Sequence, residues 1–262
     1  MQSFSDKIVF ITGGATGIGK ATAKLFLEYG AHVVITARDK TRGEQTAKEL
    51  SGGADEILYV QADARSAEQT AWAFAECDRA FGGVDILFNN AGVNCVGAVD
   101  ILSEADWDAC LDTNLKGAFL ASREAVPRMR VRGGGVIIND ASNSGLIARA
   151  NDPVYCASKA GLVMLTRAMA LAHAADRIRV NAVCPGPVSD TLLMETNLVN
   201  AADREAETRR YINAAPMAAA WARMISPKEV AEMVVYLSSD AAQMVTGAVI
   251  PIDGGKSAGI PR

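Results

Sequence analysis

The stretch KIVFITGGATGIGKA, residues 7–21, decides the fold. An apolar, β-branched run precedes a turn rich in glycine, and a helix-like period begins at residue 17. Glycine lets the backbone bend and approach a ligand, while the free N–H groups and the dipole of a helix N-terminus attract an anion. The spacing is G-x-x-x-G-x-G rather than G-x-G-x-x-G. We predict a diphosphate-binding turn that contains Gly13, Thr16, Gly17, Ile18 and Gly19.

Strand-like apolar runs alternate with helix-like periods along the chain. The predicted strands are residues 7–12, 32–37, 56–61, 84–89, 135–140, 178–183 and 247–252, and the predicted helices are residues 17–29, 41–50, 66–81, 103–130, 153–175 and 227–239. This alternation is typical of βαβ units, whose right-handed crossovers build a parallel sheet with helices on both faces. We therefore predict a doubly wound α/β fold with seven parallel strands in a single domain, residues 1–262.

Residues 186–225 interrupt the alternation between the sixth and seventh predicted strands. Their content of Ala, Leu and Met predicts one or two short helices. Such an insertion is often a lid or a specificity loop, and a plain surface excursion is the alternative.

The composition narrows the classes of function. The formal net charge is −4, so we expect no binding to nucleic acid or to an anionic membrane. The five cysteines lack C-x-x-C spacing and the chain has two histidines, so no metal site is predicted. Free thiols are typical of a reducing compartment, and the apolar run after MQSFSDK is too short for a signal peptide, so we expect a cytoplasmic protein.

The end of the second predicted strand reads VVITARDK. In dinucleotide-binding folds an acidic residue at this point holds the ribose hydroxyl of NAD, whereas an arginine accommodates the 2′-phosphate of NADP. Ala37 occupies the expected position of the acid, and Arg38 follows it. The sequence favours NADP(H), with NAD(H) as the alternative if Asp39 turns inward.

The stretch YCASK, residues 155–159, places a phenol four residues before an ammonium. On a helix these two side chains share one face, about 6 Å apart along the axis. A surface pair is one interpretation. The other is a phenol whose ionised form is favoured by the neighbouring cation, so that it exchanges protons near neutral pH.

Seven motifs occur in a familiar order along almost the whole chain: TGGATGIG (12–19), NNAG (89–92), Asn114 in DTNLKGAF, Ser142 in DASNSG, YCASK (155–159), PGPV (185–188) and IPIDGG (250–255). In order and spacing the chain resembles the short-chain dehydrogenase/reductase family in its single-domain form. The resemblance implies a Rossmann-like seven-stranded sheet and hydride transfer between NAD(P) and a carbonyl or alcohol. It also implies a small-molecule substrate and a homo-oligomer, a tetramer or a dimer.

The same resemblance implies roles for four residues. Tyr155 would be the general acid/base, and Lys159 would bind the nicotinamide ribose and favour the ionised phenol. Ser142 would donate a hydrogen bond to the substrate oxygen. Asn114 would hold a water that connects Lys159 to solvent. With this set present, catalysis is favoured over the surface pair.

The implied cofactor contacts follow the same motifs. They are Gly13, Thr16, Gly17, Ile18, Gly19, Arg38, Asp63, Ala64, Asn89, Ala91, Gly92, Tyr155, Lys159, Pro185, Gly186, Val188 and Thr191. Two departures from the family pattern stand out. Ala141 precedes Ser142 where the family often has a pair of serines. Asp190 stands where a carboxamide-binding Thr is common, so Thr191 is predicted for that contact.

Candidate substrate contacts flank the catalytic positions: Asn94, Cys95, Val96, Asn143, Arg149, Leu192 and Leu193. Most are small or apolar, which suits a modest aliphatic or alicyclic carbonyl. For Arg149 and Asp152 we favour an exposed loop, with recognition of a hydroxylated or acidic substrate as the alternative. The predicted function is an NADP(H)-linked carbonyl reductase or alcohol dehydrogenase. The alternatives are an NAD-dependent sugar, polyol or alicyclic alcohol dehydrogenase and a nucleotide-binding regulator without turnover.

Overall fold

Seven parallel strands form one sheet in the computed structural model, which describes residues 3–52 and 56–259. They are β1 (Ile8–Thr12), β2 (His32–Ala37), β3 (Ile57–Gln61), β4 (Ile86–Asn89), β5 (Gly135–Asp140), β6 (Ile178–Pro185) and β7 (Val249–Ile252). Their order across the sheet is β3-β2-β1-β4-β5-β6-β7. The central strands β1 and β4 are buried along their whole length, as expected for a sheet covered on both faces.

Ten α-helices connect or follow the strands within the described residues. They are α1 (Gly17–Glu28), α2 (Lys40–Leu50), α3 (Ala67–Phe81), α4 (Glu104–Leu111), α5 (Gly117–Val131), α6 (Pro153–Ala172), α7 (Leu192–Val199), α8 (Arg204–Asn213), α9 (Pro216–Ala220) and α10 (Pro227–Ser238). The buried apolar residues form two main cores. The first core contains residues of α1, α2 and α10, and the second contains residues of α3, α5 and α6. The doubly wound prediction is confirmed.

The sheet reverses its winding between β1 and β4, which are neighbours although two strands separate them in the chain. In open α/β sheets, ligands bind at the carboxyl ends of the strands at such a switch point. The two loops that leave β1 and β4 are joined there by Asn90. Its Nδ2 donates to the carbonyl oxygens of Thr12 at 3.0 Å and Gly13 at 2.8 Å.

The predicted helix 103–130 is present as an uninterrupted helical run that contains a π-helical turn. The chain forms α4, then a π-helical turn at Asp112–Lys116, and then α5. A π turn contains one residue more than an α turn, which apolar periodicity does not distinguish over so short a span. Ser103 and Asp106 form a capping box that fixes the start of α4.

The insertion at 186–225 contains three described helices, α7, α8 and α9, rather than one or two. Its base is closed by a parallel bridge between Val188 and Ile225. Two backbone hydrogen bonds accompany this bridge, from Ser189 N to Ile225 O at 2.9 Å and from Ile225 N to Pro187 O at 3.2 Å. The inserted helices therefore leave and rejoin the sheet at one point.

Helix α6 is long and apolar enough to match a membrane span, with a mean hydropathy of 1.2. Half of this apolar stretch is buried inside the protein. Its residues Leu162 and Val163 pack against the sheet with Ala182 and Cys184 of β6. The core helix of a soluble protein has the same length and composition, so this helix is weak support for a membrane protein.

Candidate active site

A cleft of about 1740 Å³ lies along the carboxyl ends of the strands. Most of the predicted site residues line it: Gly13, Thr16, Gly17, Ile18, Arg38, Asp63, Ala64, Ala91, Gly92, Asn94, Val96, Ser142, Arg149, Tyr155, Lys159, Pro185, Gly186, Val188, Thr191, Leu192 and Leu193. Residues distant in sequence therefore meet in a single site, as expected at the switch point of a doubly wound sheet.

The glycine-rich turn forms one end of the cleft. Gly13 has a φ of +66°, and a Cβ on it would lie 2.9 Å from the Cα of Ala91, so a side chain does not fit. Gly17 has a φ of +52° and begins α1. Thr16 is the N-cap residue of α1, yet its side chain makes no capping hydrogen bond. The first N–H groups of this helix are thus left without a side-chain cap beside the cleft, which suits a diphosphate.

Gly19 has a packing role rather than a place in the cleft wall. A Cβ there would lie 2.5 Å from the carbonyl oxygen of Gly13 and 2.6 Å from Nδ2 of Asn90. Asn89 is likewise buried away from the cleft and donates from Nδ2 to Oδ1 of Asn139 at 2.8 Å and to the hydroxyl of Ser122 at 3.1 Å. Both residues support the cleft from behind.

Two arginines line the cleft after β2. Arg38 directly follows Ala37, and Arg42 lies in the first turn of α2. Asp39 caps α2, because its Oδ1 accepts the N–H of Arg42 at 3.0 Å. Its carboxylate also lies 3.8 Å from Nε of Arg42. The one acidic residue of this loop is therefore engaged with its own helix, and it lines the cleft together with the two guanidinium groups.

Asp63 lies in the cleft wall after β3 with an ion-pair partner. Both oxygens of its carboxylate accept hydrogen bonds from Arg65, the shortest at 2.6 Å. These bonds lower the pKa of Asp63, and the charge of Arg38 acts in the same direction. Ala64 follows it and also lines the cleft.

Tyr155, Lys159 and Ser142 share one wall of the cleft, and all three are buried. Tyr155 and Lys159 lie one helical turn apart on α6, whose first turn begins with Pro153. The Lys159 ammonium donates to the carbonyl oxygen of Asp140 at 2.7 Å and lies 5.7 Å from the centroid of the Tyr155 ring. The Ser142 hydroxyl accepts the N–H of Ser144 at 3.1 Å, which leaves its hydrogen free to donate.

Asn114 lies behind this wall in the π-helical turn and is almost fully buried. Its Oδ1 accepts the N–H of Val93 at 2.8 Å, and its Nδ2 donates to Val93 O at 3.0 Å and to the hydroxyl of Ser158 at 3.1 Å. A Cβ on Gly92 would lie 3.3 Å from Oδ1 of Asn114 and 3.6 Å from Nζ of Lys159. The two polar groups therefore lie on the same side of Gly92 and border the space that its missing side chain leaves.

Asp140 is a titratable group in the cleft that is not predicted from the sequence. It ends β5, and its Oδ1 is buried without a hydrogen-bond partner among the described residues. Burial raises the pKa of its carboxyl to about 6, although the positive charge of Lys159 opposes the shift. An acid that ends a β-strand is a visible feature of the sequence, but its burial beside Lys159 is set by the tertiary fold.

The loop after β6 forms the floor at the other end of the cleft. Thr191, rather than Asp190, lines the cleft. Thr191 caps α7 by accepting the N–H of Met194 at 3.2 Å, and its methyl group lies against the glycine-rich turn at Gly17. Asp190 accepts a hydrogen bond from the Ser189 hydroxyl at 2.8 Å instead.

Two of the predicted substrate contacts do not line the cleft. Cys95 lines a small neighbouring cavity and packs with Cys110, and burial raises the pKa of its thiol to about 11. Asn143 is fully buried and accepts a hydrogen bond from Arg149 at 3.1 Å. The favoured exposed loop is wrong for Arg149 and Asp152, because both line the cleft and Asp152 is buried.

Three further cations in the cleft wall are not predicted from the sequence: Arg42, Arg210 and Lys256. Arg42 is visible in the sequence four residues after Arg38, but Arg210 and Lys256 are separated from the motifs. In the described residues 3–52 and 56–259, no group of three His, Cys, Asp or Glu side chains is placed to hold a metal ion.

The fold is that of a doubly wound α/β protein with a cleft at the switch point of its sheet. The profile described as short chain dehydrogenase matches residues 7–201. The chain belongs to the short-chain dehydrogenase/reductase family, whose members use NAD(P)(H), and it is an oxidoreductase that acts on CH–OH or C=O groups.

Relatives match over the full length of the chain. An uncharacterised oxidoreductase of Thermotoga maritima is 37% identical, with 98% of this chain and 100% of the relative covered. The cis-4-hydroxycyclohexanecarboxylate dehydrogenase of Sinomonas cyclohexanicum is 37% identical, with 98% and 99% covered. The crystal structure of a putative gluconate dehydrogenase from Agrobacterium tumefaciens superimposes with a TM-score of 0.89 at 33% identity, with 98% of both chains covered.

Proposed function

We propose that this chain oxidises a small secondary alcohol, or reduces the corresponding carbonyl, with NADP(H) as the preferred cofactor and Tyr155 as the general acid/base. One observation carries the proposal. Tyr155, Ser142 and Lys159 line the same cleft that the uncapped N-terminus of α1 faces. A diphosphate at the helix and a reacting oxygen at the tyrosine are thus accommodated in one continuous space.

The residues present fit a nicotinamide dinucleotide. The uncapped N-terminus of α1 would hold the diphosphate, and Lys159 would donate to the ribose hydroxyls beside the nicotinamide. Pro185, Gly186, Val188 and Thr191 would contact the nicotinamide end, and Asp63 and Ala64 the adenine end. When bound, the cofactor supplies the acceptor or donor of the hydride.

The protein's own residues would manage the proton. In the oxidising direction the Tyr155 phenolate oxygen takes the proton of the substrate hydroxyl, and in the reducing direction the phenol returns it to the carbonyl oxygen. Ser142 donates a hydrogen bond to that oxygen and stabilises the charge that develops on it. Lys159 places its ammonium 5.7 Å from the centroid of the Tyr155 ring, beside the reacting oxygen. Asn114, across the space beside Gly92, would complete the route of the proton to solvent.

The preference for NADP(H) follows from the charges after β2. Arg38 and Arg42 line the cleft, and the carboxylate of Asp39 caps α2. Two guanidinium groups suit a 2′-phosphate, and Ala37 offers no carboxylate to a ribose hydroxyl.

An NAD-dependent sugar or polyol dehydrogenase is the second candidate. A series of hydrogen-bonded polar side chains on the cleft wall favours this second candidate. Asn94 donates to Asn197 at 3.2 Å, and Asn197 donates to the hydroxyl of Tyr211 at 3.3 Å. Such a series offers several partners to a substrate with more than one hydroxyl group.

The proposal includes a lid, an assembly and a compartment. Helices α7 and α8 contribute cleft residues from an insertion whose base is closed, and they would form the lid over the substrate.

Three large apolar side chains are exposed on α5 and α6: Phe119, Met164 and Leu171. A homotetramer or a homodimer would bury them between copies of these helices. The five free cysteines support a cytoplasmic location.

The test combines cofactor binding with turnover. The purified chain is titrated with NADPH and with NADH, and a panel of secondary alcohols and ketones is assayed with both cofactors. We expect turnover that is lost in Tyr155→Phe while cofactor affinity is retained. A Cys156→Ser variant of the neighbouring residue, which is outside the cleft wall, controls for the substitution in α6. Full activity of Tyr155→Phe would refute the assigned role.

A further inference from the structure

Three cations from three separate elements line the cleft beyond the proposed cofactor contacts. Arg149 lies in the loop before α6, Arg210 lies on α8, and Lys256 follows β7. None of them belongs to a family motif, and the hydride-transfer mechanism uses none of them. Asp152 and Glu207 line the same wall and pair with the two arginines, so the cation that calls for an explanation is Lys256.

Arg149 is held in place by buried partners. Its Nη1 donates to Oδ2 of Asp152 at 3.2 Å and its Nη2 donates to Oδ1 of Asn143 at 3.1 Å. Both partners are buried. These two bonds leave other N–H groups of the guanidinium without a protein partner, because arginine has five donors. Arg149 is thus positioned by the protein and still able to donate to a ligand.

Arg210 is paired with a carboxylate of its own helix. Its Nε donates to Oε2 of Glu207 at 2.8 Å, and a second bond joins the same pair. The guanidinium also lies 5.1 Å from the centroid of the Tyr211 ring. Glu207 pairs with Arg210 as Asp152 pairs with Arg149, so neither arginine adds an uncompensated charge to the cleft.

Lys256 has no such compensation. Its side chain is half-buried, and within residues 3–52 and 56–259 its ammonium makes no ion pair and no hydrogen bond. Burial lowers its pKa, and the charges of Arg149 and Arg210 lower it further. Asp253 and Asp152 oppose the shift, but Asp253 accepts the N–H groups of Gly255 at 3.0 Å and Ser257 at 2.8 Å.

The segment that carries Lys256 is also held against the insertion. The segment after β7 is tied to α9 by a hydrogen bond from Met217 N to Gly254 O at 3.0 Å. A Cβ on Gly254 would lie 3.3 Å from the Cβ of Ala215, so this segment packs closely on the insertion. The unpaired ammonium therefore belongs to a segment that packs on the insertion, and it lines the cleft together with Arg149.

We propose that the substrate carries a carboxylate group, which Lys256 and Arg149 bind while the reacting oxygen lies at Tyr155. This inference rests on the proposed function and specifies the substrate class of the same site. An anion at this point would pair the half-buried ammonium of Lys256. A charge-assisted hydrogen bond to a half-buried ammonium is stronger than a neutral one.

The experiment compares acids with their methyl esters. Hydroxycyclohexanecarboxylates, 3-hydroxybutyrate and gluconate are each assayed beside the ester, so that only the charge of the remote group changes. We expect kcat/KM to be at least about tenfold higher for a preferred acid than for its ester, or about 1.4 kcal/mol. Lys256→Met should remove this difference by lowering kcat/KM for the acid alone, and Lys256→Arg should retain most of it.

The outcomes separate the two proposals. Equal or faster turnover of the esters overturns the carboxylate inference and leaves the proposed oxidoreductase function standing. No turnover of any panel member with either cofactor removes both. A weaker affinity of Lys256→Met for NADPH, with an unchanged KM for the acid, would assign Lys256 to the cofactor and overturn the inference. Lys228→Met, an exposed lysine of α10, is the matched control.

A binding measurement tests the inference without turnover. Cyclohexanecarboxylate, which has no hydroxyl to oxidise, is titrated by calorimetry into the chain saturated with NADP⁺. We expect binding to the unmodified chain and at least about tenfold weaker binding to Lys256→Met, whose folding is checked by circular dichroism. The absence of binding to the unmodified chain, or equal binding to both, would overturn the proposal.

Discussion

The ammonium of Lys159 lies 5.7 Å from the centre of the Tyr155 ring, one turn further along the same face of α6. It is held there by the carbonyl oxygen of Asp140 at 2.7 Å, so that the end of β5 determines where the charge lies. A buried cation at a fixed place acts on the phenol without the averaging that a mobile surface lysine undergoes. The relative position of Tyr155 and Lys159 is thus determined both by α6 and by the end of β5.

Removal of this cation should lower turnover. In Lys159→Met the reacting oxygen and the cofactor ribose lose the nearby positive charge, so kcat should fall by about a hundredfold or more. The measurements are kcat and the Kd of the cofactor. An exposed lysine of α1 provides the control variant, Lys24→Met. An unchanged kcat would contradict the assigned role of Lys159.

The arginines after β2 should determine which cofactor binds. Arg38→Ala should raise the Kd of NADPH by at least about tenfold, or about 1.4 kcal/mol, and leave that of NADH within about twofold. Arg42→Ala should have a smaller effect in the same direction, because its side chain also contacts Asp39. Fluorescence titration of both cofactors measures this. An equal loss for NADPH and NADH would show that the arginines do not contact a 2′-phosphate.

The space beside Gly92 offers a test of the proton route. Its backbone lies outside the left-handed region, so Gly92→Ala should fold, with the new methyl group between Asn114 and Lys159. We expect kcat to fall by about tenfold, or about 1.4 kcal/mol of barrier. Asn114→Ala should lower kcat as well. If the two substitutions disturb one proton route, the double variant Gly92→Ala with Asn114→Ala should lose little more activity than either single variant. Additive losses would argue for independent effects.

Asp140 should make stability depend on pH. Its pKa in the folded chain is about 6, above the usual 3.8, so the unfolded chain releases this proton at lower pH than the folded one. Stability is therefore lost as the pH rises through the window from about 4 to about 6. Asp140→Asn should be more stable than the unmodified chain at pH 7.5, by up to about 3 kcal/mol, and similar to it near pH 4.

Urea unfolding at the two pH values measures this difference. Asp100→Asn, at an exposed position, should show no such pH-dependent gain. A gain of equal size at both pH values would mean that Asp140→Asn acts through packing rather than through the buried charge.

Local patterns are sufficient to predict the strands and most of the helices. Each strand has an apolar run that its burial requires, and the glycine-rich turn after β1 marks one side of the switch point. Fixed spacing on a helix predicts that Tyr155 and Lys159 share one face, but their catalytic roles and those of Ser142 and Asn114 are implied only by the resemblance to the family.

Features that depend on packing between distant segments are not predictable in this way. The ammonium of Lys256 reaches the cleft because the segment after β7 is tied to α9, and no periodicity relates these residues. Asp140 reads as the polar end of a strand, and only its enclosure beside Lys159 makes it an unusual acid. Arg149 is expected in an exposed loop because its buried partners, Asn143 and Asp152, look like ordinary loop residues in sequence.

Because of the π-helical turn at Asp112–Lys116, the position of Asn114 depends on the exact number of residues in this segment. A deletion of one residue inside it would restore a regular α-helix and leave the two flanks in nearly the same orientation, because a π turn contains one residue more than an α turn. Since α4 packs on α6 and α5 packs on the sheet, both flanks would stay in place, but the turn that holds Asn114 against Val93 and Ser158 would be lost. An exchange of the exposed side chain Lys116 would leave this turn unchanged. A designer who shortens this segment by one residue would therefore do more harm than one who rewrites its surface.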